Sequence, residues 1–154
     1  SQGYDVVGIE LSERAVQQFF EHLNVTADIE ETSAFNIYRQ DGFTIYQGDI
    51  FSLLQEDIGR IDAIYDRAAL VALPEEMREK YVMQLRHLCG NAPQLLITFT
   101  YDQTLRNGPP FSVSPEMVTG YYQDVFTCDV LAKGTFSLKG INAEEHVWHL
   151  YQKE

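Results

Sequence analysis

Three acids and one arginine stand where apolar runs stop. Glu10 closes Val6-Val7-Gly8-Ile9, Asp49 follows Phe43 to Gly48, and Asp66-Arg67 follow Ile61 to Tyr65. If these runs are strands of an open α/β sheet, their carboxyl ends are where ligands bind. A carboxylate there matches two donors on adjacent carbons, such as the paired hydroxyls of a ribose, and Glu10 suits that role. The alternative is an acid that caps the next helix. Asp49 can accept from the exocyclic amine of an adenine, with Ile50 and Phe51 packing on the ring; a helix cap explains it equally well. Arg67 lies between a buried strand and an apolar run, where a solvated arginine is unusual. Its planar fork can hold a carboxylate bidentately, unless it is a structural partner of Asp66 or Asp62.

Other candidates carry less. His146 and His149 are three apart on a segment that reads as a strand, so they face opposite sides and make a poor metal site. No G-x-S-x-G, P-loop or G-x-G-x-x-G occurs. Cys89 and Cys128 are far apart and in no C-x-x-C pair, which suits small hydrophobes in a reduced, cytoplasmic chain. The pattern therefore names no catalytic residue and no metal ligand.

The elements that must position these groups follow from periodicity. Ser12 is an N-cap ahead of Val16, Phe19, Phe20 and Leu23, one apolar helix face ended by Asn24. Thr26 to Ser33 is polar and reads as a loop, with Glu30 and Glu31 solvated. Phe35 to Tyr38 and Phe43 to Gln47 flank Asp41-Gly42, a hairpin signal. Pro74-Glu75-Glu76 starts a helix whose face is Met77, Tyr81, Val82, Leu85 and Leu88, stopped by Gly90. Leu95 to Tyr101 is the strongest strand, and Asn107 to Phe111 a rigid loop. Ser114-Pro115-Glu116 caps a third helix to about Tyr122. Glu144-Glu145 reads as a solvated loop between closing strands, Phe126 to Ala132 and His146 to Tyr151. The alternation predicts one α/β domain over residues 1–154, with helices on both faces of the sheet. A chain that opens inside a core strand at Tyr4 to Glu10 also predicts further sequence upstream of Ser1.

Composition narrows the partners. The chain has 154 residues, 45% hydrophobic and 22% charged, with nine Phe, nine Tyr and one Trp, which excludes a disordered chain. Eleven basic against twenty-three acidic residues give −12, a field that repels phosphate backbones and anionic membranes. The longest apolar run, Ala68 to Leu73, is far short of the roughly 20 residues that span a bilayer. A small molecule is the expected partner, with no nucleic acid and no membrane, and a monomer is expected.

Three blocks then resemble one family: Val6 to Glu13, Tyr65-Asp66-Arg67-Ala68-Ala69-Leu70-Val71-Ala72-Leu73-Pro74, and Tyr101-Asp102 followed by Gly108-Pro109-Pro110-Phe111-Ser112-Val113. Their order and separation are similar to the bacterial branch of the thiopurine S-methyltransferases, across nearly the whole chain. The resemblance implies a class I, Rossmann-like methyltransferase fold and S-adenosylmethionine as methyl donor. It implies cofactor contacts from Glu10, Leu11, Asp49, Ile50 and Arg67, and an acceptor pocket bordered by Arg67, Pro109, Pro110 and Phe111. The family's first strand, its glycine-containing cofactor loop and its tryptophan-bearing N-terminal segment have no counterpart here, so they are expected upstream of Ser1.

The implied reaction explains the lack of an obvious base. An aromatic thiol is largely ionised near neutral pH, and a sulfonium methyl is already activated. Such an enzyme must hold sulfur and methyl in line at about 3–3.5 Å in a dry pocket. The acceptor is expected to be a thiopurine or related heterocyclic thiol, or a selenium or tellurium compound. Two other readings stay open: a nicotinamide-dependent oxidoreductase, which also uses an acid after its second strand, and a non-catalytic, truncated binding module.

Overall fold

The computed structural model describes residues 3–154, which group into two compact units, residues 3–58 and Gly59–Glu154. Each carries its own four-stranded mixed sheet.

In the first unit β1 (Val6–Glu10) is followed by α1 (Glu13–Leu23), β2 (Asp28–Glu31), β3 (Asn36–Gln40), β4 (Phe43–Gln47) and the short α2 (Gln55–Ile58). The sheet order is β1-β4-β3-β2. Asp41-Gly42 turns β3 into antiparallel β4, with Gly42 at φ +72°. That is the positive φ a tight hairpin needs and a β-carbon resists. β1 pairs in parallel with β4, from Val6 opposite Phe43 to Glu10 opposite Gln47. The core is Val16 and Phe20 of α1 against Tyr38 and Ile45 of the sheet.

Two expectations need correction here. Thr26 to Ser33 is not a loop throughout, because Asp28–Glu31 forms β2 on the edge of the sheet. All four of its residues are exposed, so it lacks the buried alternation by which strands are recognised. Glu30 is also paired, at 2.8 Å from Arg39. Val6 to Glu10 is a strand, but only half-buried at its middle three residues.

The second unit holds β5 (Ile64–Arg67), α3 (Glu75–Cys89), β6 (Gln94–Thr100), α4 (Pro115–Tyr122), β7 (Phe126–Leu138) and β8 (Ile141–Gln152), in the order β5-β6-β8-β7. β5 and β6 are parallel; β8 runs antiparallel to both β6 and β7. Tyr81, Val82, Leu85 and Leu88 of α3, Leu96 of β6, Val118 and Tyr122 of α4 and Leu150 of β8 are all buried. Ser114 Oγ accepts the Met117 N–H and starts α4 as the sequence predicts.

The closing hairpin is longer than expected, at 13 and 12 residues. Glu144 and Glu145 are not a loop but part of β8, opposite Thr135 and Gly134. Most of β7 beyond Phe126 is exposed, so burial does not mark its outer half as a strand. His146 is buried and stacks on Trp148, whereas His149 lies against Tyr151 on the opposite face. No helix among the described residues is long and apolar enough to cross a membrane.

Candidate functional site

The first unit brings four expected residues together. Because β1 and β4 are parallel neighbours, Glu10 and Asp49 emerge at carboxyl ends a strand spacing of about 4.8 Å apart. The junction is fastened through the backbone. Gly48 N–H donates to Glu10 O at 2.9 Å, and Gln47 Nε2 to Leu11 O at 3.0 Å, while Gln47 Oε1 accepts from Asn36 Nδ2. Glu10 is exposed and accepts the Ser12 N–H through Oε1 at 2.8 Å; Ser12 in turn caps α1. Asp49 is exposed and accepts the Phe51 N–H through Oδ1 at 3.0 Å, capping a single 3₁₀ turn, Ile50–Ser52. The capping alternative is therefore real for Asp49, whereas Ser12 and not Glu10 caps α1, and each carboxylate uses one oxygen in these bonds. Beside them Leu11 is 72% exposed and Ile50 half-buried.

Gly48 makes this geometry possible. A β-carbon there would meet the Phe35 ring at 2.6 Å and Ala34 O at 2.9 Å. A concavity of this unit, about 340 Å³, lies at the other end, around Val6, Val7, Phe43 and Thr44. It belongs to the amino ends of β1 and β4, whereas ligand recognition in α/β sheets uses the carboxyl ends.

The second unit separates Asp66 from Arg67. Asp66 is buried; its Oδ1 accepts the N–H groups of Ala69 and Leu70 at 3.3 and 3.2 Å, and its Oδ2 the Tyr81 hydroxyl at 2.9 Å. Burial pushes the Asp66 carboxyl above the ordinary carboxylate range, against the pull of those hydrogen bonds. Arg67 is exposed, and among the described residues no carboxylate pairs with it. Asp66 is satisfied by the turn and Asp62 lies 3.0 Å from Arg60, so the structural pairing considered for Arg67 does not occur. The next residue, Ala68, sits at φ +70°, a left-handed conformation that costs a non-glycine residue roughly 1–2 kcal/mol. The Asp66 bonds to Ala69 and Leu70 hold it there.

The Gly108 to Phe111 loop is tied by bonds to Pro109 O, Pro110 O and Phe111 N–H, and by one at the adjoining Ser112. Pro109 O accepts from Arg106 Nη2, Pro110 O from the Tyr101 hydroxyl, Ser112 N–H donates to Gln103 Oε1, and Phe111 N–H donates to Val71 O at 2.6 Å. That last bond fastens the loop to the segment that follows Arg67. A cleft of about 520 Å³ opens beside it, lined by Phe111 but not by Arg67, Pro109 or Pro110. Its buried arginine, Arg78, is absent from the sequence-derived set. The signal was there: Arg78 precedes Tyr81, Val82 and Leu85 by three, four and seven positions, on the apolar face of α3. The cysteines are free, and burial pushes the Cys89 thiol up to about 11, far from a nucleophile's range.

Known proteins share both sequence and fold with this chain. A family model described as thiopurine S-methyltransferase matches residues 1–152. A thiopurine S-methyltransferase of Teredinibacter turnerae is 46% identical, over 97% of this chain and 72% of its own length. One from Psychrobacter cryohalolentis is 42% identical, over 97% and 73%. Among solved structures, a SAM-dependent methyltransferase from Methanosarcina mazei superposes with a TM-score of 0.69 at 12% identity, covering 99% of this chain and 84% of its own. The N1-methyltransferase for 1,6-didemethyltoxoflavin from Burkholderia thailandensis, solved with S-adenosylhomocysteine, gives 0.63 at 12%, covering 99% and 63%. The fold is thus that of the Rossmann-like methyltransferases, and the chain belongs to the thiopurine S-methyltransferase family.

Proposed function

We propose that this protein transfers a methyl group from S-adenosylmethionine to the sulfur of a heterocyclic or aromatic thiol. The observation that carries the reading is the pairing of Glu10 and Asp49 at adjacent parallel strand ends, in a chain of this family. The donor set fits the nucleoside half of that cofactor. Two exposed carboxylates, each with one oxygen engaged by a backbone N–H, match hydroxyl and amine donors, and Leu11 and Ile50 offer apolar surface. When bound, the cofactor supplies a methyl on a positive sulfur, so the protein needs to supply no electrophile.

The chain's own residues then have three tasks. Glu10 accepts from the ribose, Asp49 and Ile50 hold the base, and Leu11 covers the edge beside Glu10. Arg67, a guanidinium with no carboxylate partner among the described residues, attracts negative charge near the acceptor. Pro109, Pro110 and Phe111 wall the acceptor with a loop already fixed by its hydrogen bonds. Residues 1–154 serve this as one methyltransferase domain, since the family match runs across both units. The excess of acid suits a cationic donor, and a monomeric, cytoplasmic enzyme fits the reduced cysteines.

Two variants test the assignments. Glu10→Ala is expected to weaken S-adenosylmethionine binding by about 1–3 kcal/mol, the loss of hydrogen bonds to a charged acceptor. Calorimetry showing unchanged affinity removes Glu10 from the site. Arg67→Lys is expected to lower kcat/KM for the thiol by about tenfold, because an ammonium cannot reproduce a bidentate fork. A lysine variant with wild-type kcat/KM would reduce Arg67 to a generic positive charge.

A further inference from the structure

Arg78 is 3% exposed, and among the described residues no carboxylate lies within ion-pair distance of it. Its protein contacts are weak or neutral ones. Nε donates to Leu73 O at 3.0 Å, Nη1 approaches Met117 Sδ at 3.8 Å, and the guanidinium lies 5.7 Å from the centre of the Phe111 ring. Nη2 makes no hydrogen bond to an acceptor among the described residues, and Arg78 lines the cleft of about 520 Å³. A buried cation costs several kcal/mol unless something compensates it, and a carbonyl and a ring face do so only in part.

Two further features polarise the same cleft. Pro74, Glu75 and Glu76 at its wall are the start of α3, fifteen residues long, and no side chain caps that terminus. Uncapped first-turn N–H groups carry the positive end of the helix dipole. Ser114 and Met117, also lining residues, are the N-cap and the third residue of α4, an end already capped by the Ser114 hydroxyl, so it adds less. The remaining walls are apolar (Pro74, Phe111, Met117) or neutral amides and hydroxyls (Gln103, Asn107, Ser112). The volume is that of a small-molecule site.

We propose that this cleft binds a small monocarboxylate carrying an apolar tail, held bidentately by Arg78 with its tail against Phe111 and Met117. A carboxylate matches the planar fork, as does a phosphate, but Glu75 and Glu76 at the wall oppose a second negative charge. One anionic head is therefore favoured over two. The inference does not rest on methyl transfer, because binding is read with neither cofactor nor thiol present.

The test is calorimetric titration of the protein with butyrate at low ionic strength, against phosphate and butylamine. Saturable, one-to-one binding of butyrate is expected, at least about tenfold weaker in Arg78→Met, as expected for loss of a charge-assisted pair. Glu76→Gln, an exposed change with little bearing on folding, is expected to tighten butyrate roughly two- to fivefold by removing a like charge. The ¹⁵Nε resonance of Arg78 in the wild-type protein should move during the titration, which decides the matter if Arg78→Met does not fold. No saturable butyrate binding, an unmoved Arg78 resonance, or a folded Arg78→Met that binds normally overturns the proposal. Phosphate binding as tight as butyrate overturns the choice of a monocarboxylate.

Discussion

Gly48→Ala is expected to destabilise the protein by about 2–4 kcal/mol, the range for forcing atoms into a packed site. Two groups oppose the new methyl. One is the Phe35 ring, 6% exposed and packed edge-on against Tyr46. The other is a backbone oxygen, Ala34 O, at 2.9 Å. Relief requires the chain to shift at Gly48, which breaks its bond to Glu10 O and displaces the adjoining Asp49. Thermal unfolding should show a loss on the order of 5–15 °C for a domain of this size. Cofactor affinity of the folded fraction should fall with it. A variant melting within about 2 °C of wild type would mean that Phe35 yields easily.

Asp66→Ala is expected to cost about 2–4 kcal/mol for a different reason. It strips the acceptor from two backbone N–H groups and the buried Tyr81 hydroxyl together, and each orphaned donor costs roughly 1–3 kcal/mol, non-additively. Asp66→Asn keeps an acceptor for the turn and is expected to lose only about 1 kcal/mol. The pH dependence separates charge from geometry. Burial raises the folded-state pKa of Asp66 above the ordinary 3.8, so its protonated form favours the folded state. That contribution is fully present below 3.8 and is lost as pH rises through the raised value. Asn does not titrate, so the stability difference between wild type and Asp66→Asn should shift in favour of the variant across that window. Equal pH profiles for the two proteins, by urea unfolding, would show that the carboxyl is not perturbed.

Which of these features a reader of the sequence can see follows from how each is encoded. The hairpin at Asp41-Gly42, the cap at Ser114 and the face of α3 are local, written within a few residues, and they stand as expected. β2 was hidden because an exposed edge strand has no inward side to mark. The outer half of the β7–β8 hairpin was hidden likewise, and Glu144-Glu145 looked like a loop because charge on a solvated strand reads as one. Glu10 and Asp49 were legible as strand-end acids, but their adjacency depends on β1 skipping over α1, β2 and β3 to pair with β4. Arg78 is legible by its period but masked by its type, since charged residues are mostly exposed.

The parallel register of β1 and β4 acts as a ruler, and rulers fail differently from locks. Substitutions along Val6 to Ile9 or Phe43 to Tyr46 change packing but leave the distance between Glu10 and Asp49 where the ladder sets it. A one-residue insertion or deletion in either strand turns the following side chains to the other face of the sheet. The slip would also part Gly48 N–H from Glu10 O, a backbone bond that joins the two strands at their carboxyl ends. This unit can therefore drift in composition while remaining rigid in length, and room for added residues lies in the turn between α1 and β2, away from the measured interval.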